Sequence, residues 1–152
     1  MMAERPPRLL VISGSPVRAI TSVDMADNAS DVVLRFCEAF GKGTPPDELV
    51  DFFTEDAVYH NMPVDPAVGR EAILGLLNMF VTPAERVEFR VRNLVAQGDT
   101  VLTERVDVFV LPNATIELPV MGTFEVQDGK IAAWRDYFDL NTYMSQLQGA
   151  GA

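Results

Sequence analysis

Residues 85–138 read ERVEFRVRNLVAQGDTVLTERVDVFVLPNATIELPVMGTFEVQDGKIAAWRDYF, and the period of this stretch decides the fold. Val87, Phe89 and Val91 alternate with Glu88, Arg90 and Arg92, the two-residue period of a strand. Gly98-Asp99 and Asp128-Gly129 are turn signals, which divide the stretch into four long strands at 85–97, 100–111, 115–127 and 130–138. Upstream the period is close to four. Ser30 precedes an apolar stripe at Val33, Phe36, Cys37 and Phe40 that Gly41 and Gly43 stop, which predicts a first helix. Pro45 and Pro46 ahead of Asp47 and Glu48 predict a short helix over 46–53, followed by a strand over 57–61. A third helix over 69–80 carries Ile73, Leu76, Leu77 and Phe80 on one face, and 140–147 can form a last turn or two. Helices first and a long meander afterwards predict an α+β fold: a cone-shaped, curved, mixed sheet of about six strands, with three to four helices enclosing a pocket.

The chain has 152 residues, 48% of them hydrophobic, and a mean hydropathy of +0.11, enough for one domain with a closed core. Twelve basic against 22 acidic residues leave a net charge of −10. Such a chain is repelled by phosphate backbones and anionic lipid, so nucleic acid and membrane are poor partners. Cys37 and His60 are the sole residues of their types, which excludes an internal disulfide and argues against a zinc finger and a Ser-His-Asp hydrolase. The apolar run Leu9 to Ile12 is four residues long, short of the roughly 7–15 of a signal peptide. A cytoplasmic location is the expectation. Residues 1–27, with Pro6, Pro7, Gly14 and Pro16, read as a flexible or extended lead-in with a short strand near 9–12, and 28–148 as the single domain.

Parity along the strands brings out charges where a core should be. On one face of 101–111, Arg105 and Asp107 stand with Phe109 and Leu111, while the other face carries Val106, Val108 and Val110, so neither reads as solvated. In the last strand Asp136 shares its face with Trp134 and Phe138, and in the first strand Tyr59 and Asn61 share a face from which His60 points away. Two carboxylates beside one guanidinium differ in proton affinity when one is drier, which is how acid and base pairs arise near neutral pH. An Arg beside an Asp on adjacent sheet positions is also an ordinary surface ion pair, and parity alone leaves both readings open. Cys37 reads as a small buried hydrophobe, His60 as a surface or edge residue, and Met62, Met79, Phe80 and Met121 as core by default, with some of them available to line the pocket.

Tyr59-His60-Asn61, Glu104-Arg105-Val106-Asp107 and Trp134-Arg135-Asp136-Tyr137-Phe138-Asp139, taken in this order, resemble the limonene-1,2-epoxide hydrolase family. The resemblance spans about residues 28–147 and leaves the lead-in uncovered. It implies a nuclear transport factor 2-like, SnoaL-like or cystatin-like cone, a homodimer, and no metal or organic cofactor. It also implies a catalytic group of Asp107, Arg105, Asp136, Tyr59 and Asn61; Phe109, Trp134 and Phe138 share strand faces with the charged groups and are for that reason expected against the substrate. The expected reaction is addition of water to a small apolar, terpene-like or cyclic epoxide. Asp136 is the base, Asp107 the acid, and the water is held by Tyr59 and Asn61. Two alternatives share the scaffold: a ketosteroid-isomerase or polyketide-cyclase type of enzyme, and a non-catalytic binder of small hydrophobic ligands.

Overall fold

The computed structural model describes residues 8–11 and 28–149. The expected lead-in lies outside them except for one strand, β1 (Arg8–Val11), which pairs parallel to β4 with Leu9 opposite Leu94. The other elements are α1 (Ala29–Gly41), α2 (Pro46–Leu49), a 3-10 turn (Val50–Phe52), β2 (Phe53–Asn61) and β3 (Ala67–Val68). They are followed by α3 (Arg70–Val81), β4 (Arg86–Gln97), β5 (Thr100–Leu111), β6 (Ala114–Gln127), β7 (Lys130–Tyr137) and α4 (Leu140–Gly149). The described strands form one mixed sheet of seven in the order β1-β4-β5-β6-β7-β2-β3. The two-residue β3 was not expected, because so short a pairing leaves no periodic trace.

Asn28, and not Ser30, caps α1, its side-chain oxygen accepting from the Asp31 amide at 2.9 Å. Ser30 is drawn into the first turn and buried with Val32, Val33, Phe36 and Phe40, because the capping oxygen has to come from the last residue still extended. Gly43 takes a φ of 74° just past the helix end, a conformation that costs a glycine little. The helix expected over 46–53 is one turn and a 3-10 turn, after which β2 starts at Phe53 instead of Ala57. Phe53 pairs with Ile131 of β7 and is buried, so the parallel pairing extends the strand backward past its local preference.

From β4 to β7 the sheet is the expected antiparallel meander. Register shifts between Val91 and Asn93 and between Glu125 and Val126 mark bulges, which bend a sheet. Pro119 is tolerated inside β6 because the strand pairs with β7 only from Met121 onward. On that open edge the Gln146 carboxamide of α4 meets both backbone groups of Glu117, accepting from its N–H at 2.6 Å and donating to its C=O at 3.0 Å.

Helix α1 packs on the concave face. Phe36 sits at the centre, its ring edge-on to Phe40, Phe52, Phe53, Phe124 and Trp134 with centroids 5.1–6.1 Å away. Two expectations about the core fail. Met62, Met79 and Met121 are exposed and do not join the core: Met121 falls on the convex face of β6, Met62 lies in the turn after β2, and Met79 of α3 lines the cavity together with Phe80, as some of these residues were expected to do. The convex face of β5 is only partly apolar and dry, with Leu102 and Glu104 exposed and Val108 buried. No helix among the described residues is long and apolar enough to cross a membrane.

Candidate active site

Register alone brings the functional side chains together. Tyr59 of β2 lies opposite Trp134 of β7, and Asn61 opposite Asp136. The parallel pairing thus sets a phenol and a carboxamide beside the second carboxylate, while Arg105 and Asp107 approach from β5 with β6 between. The guanidinium makes a bidentate pair with Asp107, donating from Nε to Oδ1 and from Nη2 to Oδ2, both at 2.9 Å. The same Nη2 donates to Asp136 Oδ2 at 2.7 Å, and Nη1 to Thr103 Oγ1 at 3.0 Å. Trp134 Nε1 donates to the other oxygen of Asp136 at 2.7 Å. Tyr59 donates its hydroxyl proton to Asn61 Oδ1 at 3.0 Å, and its ring stacks on Trp134 with centroids 3.8 Å apart.

Arg105 is 1% exposed, Asp107 3% and Asp136 2%, so the three charges lie out of water and hold one another. Phe89 lies under the guanidinium, with its ring centroid 4.9 Å from Cζ. Burial pushes the Asp107 carboxyl up to about 6, against the pull of Arg105, and Asp136 is raised from its ordinary range by the same cause. Burial works against the charge of Arg105 too, but the two carboxylates outweigh it and hold the guanidinium protonated well above its usual range. The Tyr59 phenol is pushed well up by burial and by Asp136, so it stays protonated and able to donate.

These groups form one end of a cavity of about 230 Å³. Tyr59, Asn61, Asp107 and Asp136 reach it, and Phe89, Phe109, Leu118, Val120 and Phe138 supply apolar walls. α3 adds Leu76, Met79 and Phe80, and α4 closes a side with Leu140 and Tyr143. An apolar chamber with a few convergent polar groups is the usual form of a small-molecule site. Among the described residues no group of His, Cys, Asp or Glu side chains could hold a metal ion.

Of the residues singled out in the sequence, Tyr59, Asn61, Asp107, Asp136, Phe109 and Phe138 line this cavity, and Arg105 lies directly behind its carboxylates. Trp134 does not line it. Expected against the substrate, this indole is fully buried beneath the site, where it supports Tyr59 and donates to Asp136. A residue on the same strand face as a site can lie one layer under it, and parity does not separate the two cases. Cys37 is buried, its thiol pushed up to about 12 by that burial, which leaves it unreactive. His60 points to the backbone, Nε2 lying 2.9 Å from the Val64 carbonyl oxygen. Missed as site residues were Thr103, legible as a neighbour of Arg105 by parity, Leu76, legible only as part of the apolar face of the third helix, and Tyr143, for which the sequence offered no signal.

A sequence model of the limonene-1,2-epoxide hydrolase catalytic domain matches residues 28–149. Epoxide hydrolase EphG of Mycobacterium tuberculosis is 38% identical over 88 residues, 57% of either chain, so the match spans a little over half of that relative's length. Among solved structures, an epoxide hydrolase from M. tuberculosis described as like limonene-1,2-epoxide hydrolase superimposes with a TM-score of 0.67. It is 31% identical and covers 82% of this chain and 92% of its own. A chain assigned to the SnoaL-like polyketide cyclases, from Shewanella denitrificans, reaches a TM-score of 0.71 at 16% identity, covering 80% and 97% of the two chains. That likeness shows the fold alone, and the fold is the SnoaL-like, nuclear transport factor 2-like cone expected above.

Proposed function

This chain belongs to the limonene-1,2-epoxide hydrolase family, and from that premise we propose that it adds water to a small apolar epoxide in one step, giving a vicinal diol. The observation that carries the reading is one buried guanidinium bonded to two carboxylates at the polar end of an apolar cavity. Asp136 is the general base. The Tyr59 proton is engaged with Asn61 Oδ1, so the phenol oxygen is free to accept, and the Asn61 amino group is free to donate. A water among these groups gives one hydrogen to Asp136 and one to Tyr59, accepts from Asn61, and keeps a lone pair for the oxirane carbon. Asp107, protonated, passes its proton to the epoxide oxygen as the C–O bond breaks. Charge therefore moves from Asp136, which gains a proton, to Asp107, which loses one, and Arg105 lies between them throughout to balance it. No covalent ester forms and no metal or organic cofactor is used. The walls suit a terpene-like or cyclic epoxide.

A ketosteroid-isomerase or polyketide-cyclase reaction on the same fold needs a neutral acid facing an enolate oxygen. Arg105, locked between carboxylates and 1% exposed, offers nothing to such an oxygen. Incubation with a panel of epoxides in H₂¹⁸O, with and without chelator, tests the proposal. One labelled oxygen per diol, unaffected by chelator, is expected, and label confined to solvent with no diol refutes it. Asp107→Asn and Asp136→Asn should each lower kcat at least about 100-fold with the fold intact, the lower bound for losing a positioned acid or base. We also take the chain to act as a homodimer through the convex face, where Leu102, Met121 and Tyr137 are exposed together; a sedimentation mass of one chain would refute that.

A further inference from the structure

Arg105 stands on β5 and Asp136 on β7, so the guanidinium reaches its second carboxylate only by crossing β6. Neighbouring strands lie about 4.8 Å apart, so roughly 10 Å of sheet separates the two backbones. The crossing passes over Gly122. In register Gly122 is opposite Thr103 on one side and opposite Asp136 on the other. Its Cβ direction is that of Leu118 and Val120, toward the concave face. A methyl group built there would fall on Arg105 Nη1, 2.5 Å from Asp136 Oδ1 and 3.1 Å from Thr103 Oγ1.

The backbone at Gly122 is not in the left-handed region, unlike Gly43, Gly69, Gly98 and Gly129. Conformation therefore does not require a glycine in this strand, where glycine is ordinarily a weakness. What does require it is the space. We propose that Gly122 is a positioning residue for the acid and base pair: its bare backbone is the slot through which Arg105 reaches Asp136. This rests on the acid and base reading of the two carboxylates. The atoms a methyl group would meet are the ends of three side chains, not backbone. The sheet can take an alanine by pushing the guanidinium aside, and the bridge between the carboxylates cannot.

Gly122→Ala tests this. Because Gly122 does not line the cavity, KM should stay within about threefold, while kcat falls about 100-fold or more. The pH–rate profile of the residual activity should also move, because Asp136 loses its cation, whereas a merely loosened fold would leave that profile in place. A kcat within about threefold of wild type with an unmoved profile overturns the proposal. The second arm needs no substrate: a thermal double-mutant cycle with Arg105→Met. Alanine at 122 should lower Tm by several degrees beside Arg105 and by much less beside methionine, and equal losses in the two backgrounds overturn the proposal. If Gly122→Ala does not fold, folding of the double variant supports the slot and its failure to fold overturns it. Should no epoxide yield a diol, the hydrolase reading falls while the thermal cycle still decides on Gly122.

Discussion

Replacing Trp134 by Phe takes one hydrogen bond from Asp136 and keeps an aromatic ring beneath Tyr59. The lost bond, Nε1 to Oδ1 at 2.7 Å, is short and goes to a carboxylate 2% exposed. Hydrogen bonds to charged groups are worth about 1.5–3 kcal/mol. Each pH unit corresponds to about 1.4 kcal/mol, so losing this one raises the Asp136 pKa by about 1–2 units. The sign follows from the role: a base with a raised pKa is protonated, and idle, up to a higher pH. The acid limb of the kcat/KM profile for diol formation should therefore move to higher pH by about 1–2 units. Because the indole does not line the cavity, KM should hardly change. A stopped-time assay of diol from pH 4 to 9 on both proteins measures the shift. An unmoved acid limb together with a raised KM would refute the reasoning, since that is how a wall residue behaves and not a donor to the base.

Asp107 provides a second pH test. Its carboxyl holds its proton more tightly folded, to about pH 6, than at the ordinary value of 3.8. This contribution to stability is complete below the unfolded value and is lost as pH rises through about 6. About two units correspond to about 3 kcal/mol, and Asp136 acts in the same direction. Thermal melts should show a higher Tm near pH 4.5 than near pH 7.5, and Asp107→Asn should flatten that slope; an equally steep slope in the variant would count against a dry Asp107. As the acid, Asp107 should also make kcat/KM fall as pH rises through about 6, read from the alkaline limb of the same profile. Phe36→Ala removes the ring that packs edge-on to five others. It should cost about 3–5 kcal/mol in urea unfolding, and a loss under about 1 kcal/mol would mean that the aromatic cluster is not the keystone of the core.

Much of the architecture is legible in period and punctuation. Gly98 and Asp128-Gly129 mark the turns of the meander because positive φ is needed there, and the structure has φ of 57°, 49° and 76° at these residues. The start of β2 at Phe53 was not legible, because its partner Ile131 is 78 residues away and local pattern carries no information about it. The site divides in the same way. That Arg105 and Asp107 share a face, and that Asp136 shares one with Trp134, follows from the two-residue repeat of a strand and needs no coordinates.

Alternation, charge and turn chemistry are local, so the amino-acid order by itself settled the meander, the helical start of the domain and the polar residues on apolar strand faces. Which strand lies beside which, and how deep a side chain sits, depend on contacts between distant segments that no local pattern encodes. The fold alone decided that β2 runs parallel to β7, so that Asn61 meets Asp136. The fold also decided that Trp134 lies under the cavity and not in its wall, and that one guanidinium spans three strands where β6 bears no side chain.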